Sequence, residues 1–151
     1  MAVHSHHHYA SQGALIVTQT HVNTALMVIG RVLFGGYFLY SSFDHFAQEQ
    51  MLAAAAGARG VPWPEAAVLG TGVLLFVGSL SILTGAWPRI GAALIAIFLI
   101  GVTPVMHAFW ADPTVEMRMM DVVNFTKNLA LLGGCAFVAA IPRPWGASAH
   151  G

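Results

Sequence analysis

The residues able to do chemistry gather near the ends of long apolar stretches. Asp44 and His45 close the first stretch, and His107 and Trp110 close the third. Asp121, Asn124, Lys127 and Asn128 open the fourth. Positions 121, 124 and 128 are spaced by three and four, which places them on one helical stripe with Lys127 at its edge. A histidine and a carboxylate at such a depth can donate and relay protons. A quinone headgroup, with two carbonyl oxygens that take protons on reduction, suits that inventory. The competing reading is a polar lock that fixes helix register and does no chemistry. Asp44, His45, His107 and Lys127 are the candidates for contacting a quinone or relaying its protons. Arg31, Asp121, Asn124 and Asn128 are the candidates for the lock. Lys127 is expected to pair with Asp44 or Asp121.

Other chemistries find less support. A metal site built from Asp44, His45 and His107 requires adjacent residues, about 100° apart on a helix, to converge. A bis-histidine haem on His45 and His107 has no CxxCH beside it. No metal site is therefore assigned, and no cofactor beyond quinone. His4, His6, His7 and His8 can bind a transition metal adventitiously, but a disordered tail or a partner-ordered arm is the simpler expectation. The single cysteine, Cys135, excludes an intrachain disulfide and lies where a small core residue belongs.

The elements that position these groups follow from composition. Of 151 residues, 57% are hydrophobic and 8% charged, with six basic and six acidic residues. Soluble domains carry about a quarter charged residues, so a soluble surface cannot be built here. Zero net charge gives no reason to expect nucleic acid. Apolar stretches run over about 24–45, 65–86, 90–110 and 122–141, each near the roughly 20 residues that cross a bilayer. Unbroken apolarity of that length excludes barrel strands, which alternate over about 10 residues. The expected fold is an all-α bundle of four transmembrane helices over 24–145. A polar His-rich arm, 1–23, precedes it and a short tail, 146–151, follows.

Trp63, Trp87, Trp110 and Trp145 all fall at predicted water–membrane boundaries and are the expected interfacial anchors. Only Trp87, Pro88 and Arg89 join the second and third helices, which must then be antiparallel neighbours. The connection before the second helix holds FAQEQMLAAAAGA from Phe46, a strong helix-forming run stopped by Pro62 and Pro64. A short interfacial helix is expected there. Small residues should mediate packing, because lipid removes the hydrophobic drive between helices. Gly30, Gly35, Gly36, Gly70, Gly72, Gly78, Gly133 and Gly134 are the candidates. Arg31, about 10 Å into the first helix at 1.5 Å per residue, either snorkels toward the terminal side or locks the bundle. The positive-inside count is a tie, and cytoplasmic termini are a lean drawn from the acids on the opposite side.

At these residues the chain resembles the DoxX family of small four-helix bacterial membrane proteins. The resemblance is carried by RVLFGGYFLYSSFDHF from Arg31, GVPWPEAAVLGTGVLL from Gly60 and SILTGAWPRIGAALIA from Ser81. HAFW from His107 and NFTKNLALLGG from Asn124 extend it. Similar members often read S-G-x-N-H-F where this chain has Ser41, Ser42, Phe43, Asp44, His45 and Phe46. Serine thus stands for glycine and aspartate for asparagine, while His107, Trp110, Lys127 and Asn128 match the pattern.

The resemblance implies membership of a redox assembly, since related chains form membrane parts of thiosulfate:quinone oxidoreductase or partner redox and detoxification enzymes. The expectation is a membrane subunit of a quinone-linked oxidoreductase or electron-transfer complex in the bacterial inner membrane, anchoring the assembly beside its other subunits. The alternative is a non-catalytic accessory subunit that stabilises a larger respiratory or photosynthetic complex. No flavin, haem or iron–sulfur motif is visible in the sequence. Any enzymatic activity would therefore belong to the complex.

Overall fold

The computed structural model describes residues 3–142, with side chains from Leu15 onward. Five α-helices follow one another: α1 Val3–Ala47, α2 Glu49–Ala58, α3 Pro64–Thr84, α4 Pro88–Met106 and α5 Val115–Ala140. A 3₁₀ turn, Phe109–Ala111, links the last two, and no strand occurs among the described residues. Four of the helices are long and apolar enough to cross a membrane: Leu15–Ala47 within α1, then α3, α4 with its following turn, and α5. The short helix expected in the first connection is α2.

Punctuation is set by proline and glycine. Pro64 and Pro88 each occupy the first turn of their helix, where a missing N–H costs nothing. The first helix differs from expectation at its start, because it runs back to Val3 with no break at residue 24. The reason is that polar side chains do not end a helix, and no proline interrupts residues 3–47. At 45 residues α1 is about 67 Å long, more than twice the hydrocarbon thickness of about 30 Å. The fourth span likewise begins earlier than expected, at Val115. Thr114 caps it by accepting a hydrogen bond from Met117 N at 3.2 Å. Trp145 and the tail lie outside the described residues, as do the side chains of His4, His6, His7 and His8.

In the packing order, α1 lies on α3, α3 on α4 and α4 on α5, with α2 folded onto α3. Phe38, Leu75, Ile82, Ala92, Ile95, Leu99 and Cys135 form the core. Close approach is concentrated at particular glycines. A Cβ on Gly91 would sit 2.6 Å from Gly78 O, one on Gly72 would meet His45 Cβ at 3.0 Å, and one on Gly134 would meet the Phe34 ring at 2.7 Å. Gly30, Gly36, Gly70 and Gly133 face open space, so they are not the packing devices their type suggested. They point away from the neighbouring helices.

Arg31 is settled at the opposite end of the bundle from the other polar candidates. It is buried, and donates from Nε to Ile82 O at 3.1 Å and from Nη2 to Leu83 O. These carbonyls belong to the last turn of α3, and Ile82 O also accepts from Gly85 N at 3.2 Å, so the guanidinium caps a helix C-terminus, where a cation is favoured. Snorkelling toward water does not describe it. Gly85, at φ +71, lies directly against this guanidinium. Gly85→Ala is expected to cost about 1–2 kcal/mol for the left-handed backbone alone, read as a lowered unfolding temperature in detergent.

Candidate functional site

The half of the bundle holding α2 and the 3₁₀ turn encloses a cavity of about 470 Å³, lined by all five helices. Ligand sites commonly span about 300–1,000 Å³. Its walls are mostly apolar, with Phe38, Leu74, Phe98 and Leu99 among them, while Leu52 and Ala56 of α2 reach its lining from the connection. Polar groups are few: Tyr37, Ser41 and His45 from α1, Thr71 from α3, His107 beyond α4, and Lys127 and Asn128 from α5. Three of the four candidate contact residues, His45, His107 and Lys127, therefore meet in one cavity. Asp44 does not line it. One position along a helix turns a side chain by about 100°, and Asp44 instead accepts from Gln48 Nε2 at 3.2 Å.

Each histidine is oriented through Nδ1. In His45 this nitrogen lies 2.7 Å from Ser41 O, one turn back on α1, and the ring packs edge-on to Phe98 at 5.6 Å. In His107 it lies 3.0 Å from Asp121 Oδ1. Asp121 is in turn gripped by Arg59, whose Nη2 donates to Asp121 Oδ2 at 2.8 Å and to Asp112 Oδ1 at 3.1 Å. Arg59 closes the C-terminal end of α2, so one guanidinium ties that helix to the loop before α5 and to α5 itself. The Asp112 side chain is 2% exposed, and its Oδ2 is buried without a hydrogen-bond partner.

Lys127 pairs with neither carboxylate, contrary to expectation: its Nζ donates to Asn124 Oδ1 at 2.9 Å. Asp121 is already taken by Arg59 and His107, and Asp44 by Gln48. Asn128 is buried and donates from Nδ2 to Thr103 Oγ1 on α4 at 3.1 Å, an interhelical bond of the kind a lock requires. Of the candidate lock residues, Asp121, Asn124 and Asn128 thus share the stripe that α5 presents here, and Arg31 stands apart. Sequence reasoning missed Arg59 and Asp112. The available signal was that Arg59 shares its membrane side with all six acids, but nothing in the spacing selects its partners.

Ser42, where similar chains carry glycine, is fully buried and donates from Oγ to Gly72 O at 2.9 Å. The substitution adds a bond between α1 and α3 and leaves the cavity lining untouched. Trp63, Trp87 and Trp110 all lie outside the membrane-spanning helices or at their ends, and all are exposed. Trp63 holds a left-handed backbone at φ 46 between Pro62 and Pro64. For a bulky residue that conformation costs about 1–2 kcal/mol. Among the described residues no three His, Cys, Asp or Glu side chains converge as a metal-ligand set.

Four apolar spanning helices around a largely apolar cavity define a multi-pass membrane protein. The DoxX family profile matches residues 26–108, more than half of the chain, and the chain belongs to the DoxX family. The match covers the cavity walls from α1 to α4 and His107, and stops before α5. No curated protein and no solved structure matches the chain.

Proposed function

We propose that the chain is a membrane subunit of a quinone-linked oxidoreductase or electron-transfer complex in the bacterial inner membrane, with its termini on the cytoplasmic side. Its cavity takes the quinone headgroup, and its helices anchor the assembly among the other subunits. The observation that carries this reading is the largely apolar cavity bordered by His45, His107 and Lys127. An apolar body with a few convergent polar groups is what a ring-and-tail ligand needs. A cavity between helices within the bilayer also receives such a ligand without passage through water. The chain offers the ligand contacts, and the electrons come from a partner's centre. Anchoring draws on α1, which carries exposed Leu15, Ile16, Leu26 and Ile29 along a helix far longer than a bilayer needs.

Binding is tested with decylubiquinone titrated into the purified full chain in lipid nanodiscs. Saturable binding at one site per chain is expected. Gly101 lines the cavity, and a Cβ there meets nothing within 4 Å. Gly101→Leu therefore fills the cavity without straining the bundle, and is expected to abolish binding. His107→Ala should weaken binding of the reduced, quinol form by about tenfold, the worth of one hydrogen bond, and Asp44→Ala should leave binding unchanged. Absence of saturable binding of both decylubiquinone and its quinol by the unaltered chain overturns the proposal's ligand half. The assembly half is read from native electrophoresis of gently solubilised source membranes. Comigration with a large redox complex supports it, and migration alone overturns it.

A further inference from the structure

Building on the quinone reading, we infer that the cavity is selective for the reduced, hydroxyl-bearing form of its ligand, because both histidines present a bare Nε2 to it. A neutral imidazole carries one N–H and one bare nitrogen, and the hydrogen bond made by the first fixes the second. Ser41 O is a carbonyl and can only accept, so His45 Nδ1 carries the proton. The Asp121 carboxylate likewise accepts from His107 Nδ1. Neither ring has another hydrogen-bonding partner among the described residues. Nε2 is then the acceptor that each ring offers to the cavity both line.

Of the remaining polar lining, the Tyr37 and Ser41 hydroxyls can donate or accept, so they favour neither form of the ligand. Thr71 Oγ1 donates back to Ala67 O at 2.8 Å, which leaves its lone pairs outward. Asn128 spends an amide N–H on Thr103 Oγ1. The charged donor of the lining, Lys127, is exposed and turned to Asn124 Oδ1, at the rim. A quinone, with two carbonyl oxygens and no O–H, can make no hydrogen bond with either bare Nε2. A quinol, with two phenolic hydroxyls, finds an acceptor for each. Asp121 is a positioning residue in this scheme: it acts on the ligand only through His107, and Arg59 holds its second oxygen.

The test compares anaerobic titrations of decylubiquinol and decylubiquinone into the full chain in nanodiscs at pH 8. The quinol is expected to bind at least tenfold more tightly. Equal affinities, or tighter quinone binding, overturn this inference and leave the proposed function standing, whereas failure of both ligands to bind overturns the two together. Asp121→Asn turns an amide N–H toward Nδ1 and moves the ring proton to Nε2, so the preference is expected to shrink toward unity. Asp121→Glu should retain it.

Nitrogen-15 spectra of histidine-labelled protein, assigned with His45→Gln and His107→Gln, read the tautomers without any ligand. Nδ1–H forms on both rings are expected. An Nε2–H form on either ring overturns the inference even where a variant fails to fold.

Discussion

Arg59→Ala is expected to destabilise the protein by on the order of 3 kcal/mol, the lower end of what removing one partner from a buried ion pair costs. The lower end applies because the guanidinium is one quarter exposed, although the two carboxylates it serves are 2% and 13% exposed. Without it Asp112 and Asp121 face each other's charge with no cation between them, and α2 loses its tie to α5. For a chain of this size about 3 kcal/mol corresponds to a fall of roughly 6–12 °C in Tm, measured by scanning fluorimetry in detergent. Arg59→Lys should recover much of the loss, because both bonds come from a single nitrogen, Nη2. Asp112→Asn in the Arg59→Ala background should also recover part, since it removes the charge of a carboxylate whose Oδ2 has no partner. A Tm unchanged by Arg59→Ala would show that the apolar contacts of α2 hold it alone.

Gly91→Ala is the second large effect. The added methyl would lie 2.6 Å from Gly78 O and 3.0 Å from both Ile82 Cγ1 and Ser81 Cβ. The first of these is backbone and cannot rotate away, so α3 and α4 must separate along the interface that carries Ile82, Ala92 and Ile95 of the core. Overpacking a tight contact costs about 1–3 kcal/mol, and a backbone obstacle puts this variant at the upper end. Gly101→Ala is the matched control on the same helix. Its methyl meets nothing, and replacing a mid-helix glycine gains up to about 1 kcal/mol in propensity. The two variants should move Tm in opposite directions. Equal shifts would mean that the Gly78–Gly91 approach is not a tight one in the bilayer.

Which glycines matter illustrates how the sequence and the fold divide the information. Composition names eight candidates in the spans alike, and only the tertiary structure separates Gly72, Gly78 and Gly134, which are in contact, from Gly30 and Gly133, which are not. Helical periodicity tells which residues share a face, but not which face meets a neighbour when every face is apolar. A soluble helix would have betrayed its buried side by the polarity of the other.

The polar groups divide in the same way. That His45, His107 and Lys127 lie near one membrane surface follows from span boundaries alone, because apolar length fixes depth. The sequence by itself thus determined a multi-pass membrane protein with four spans, a short helix after the first and a polar cluster on one side. Only the tertiary structure decided who meets whom. It gave Asp121 to Arg59 and His107, gave Lys127 to Asn124, excluded Asp44 from the cavity and sent Arg31 to cap α3. The physical reason is that depth is a one-dimensional property, set by transfer from water to lipid and summed along the chain. Pairing depends on helix rotation and on contacts across 51 to 62 residues of sequence, which packing alone selects.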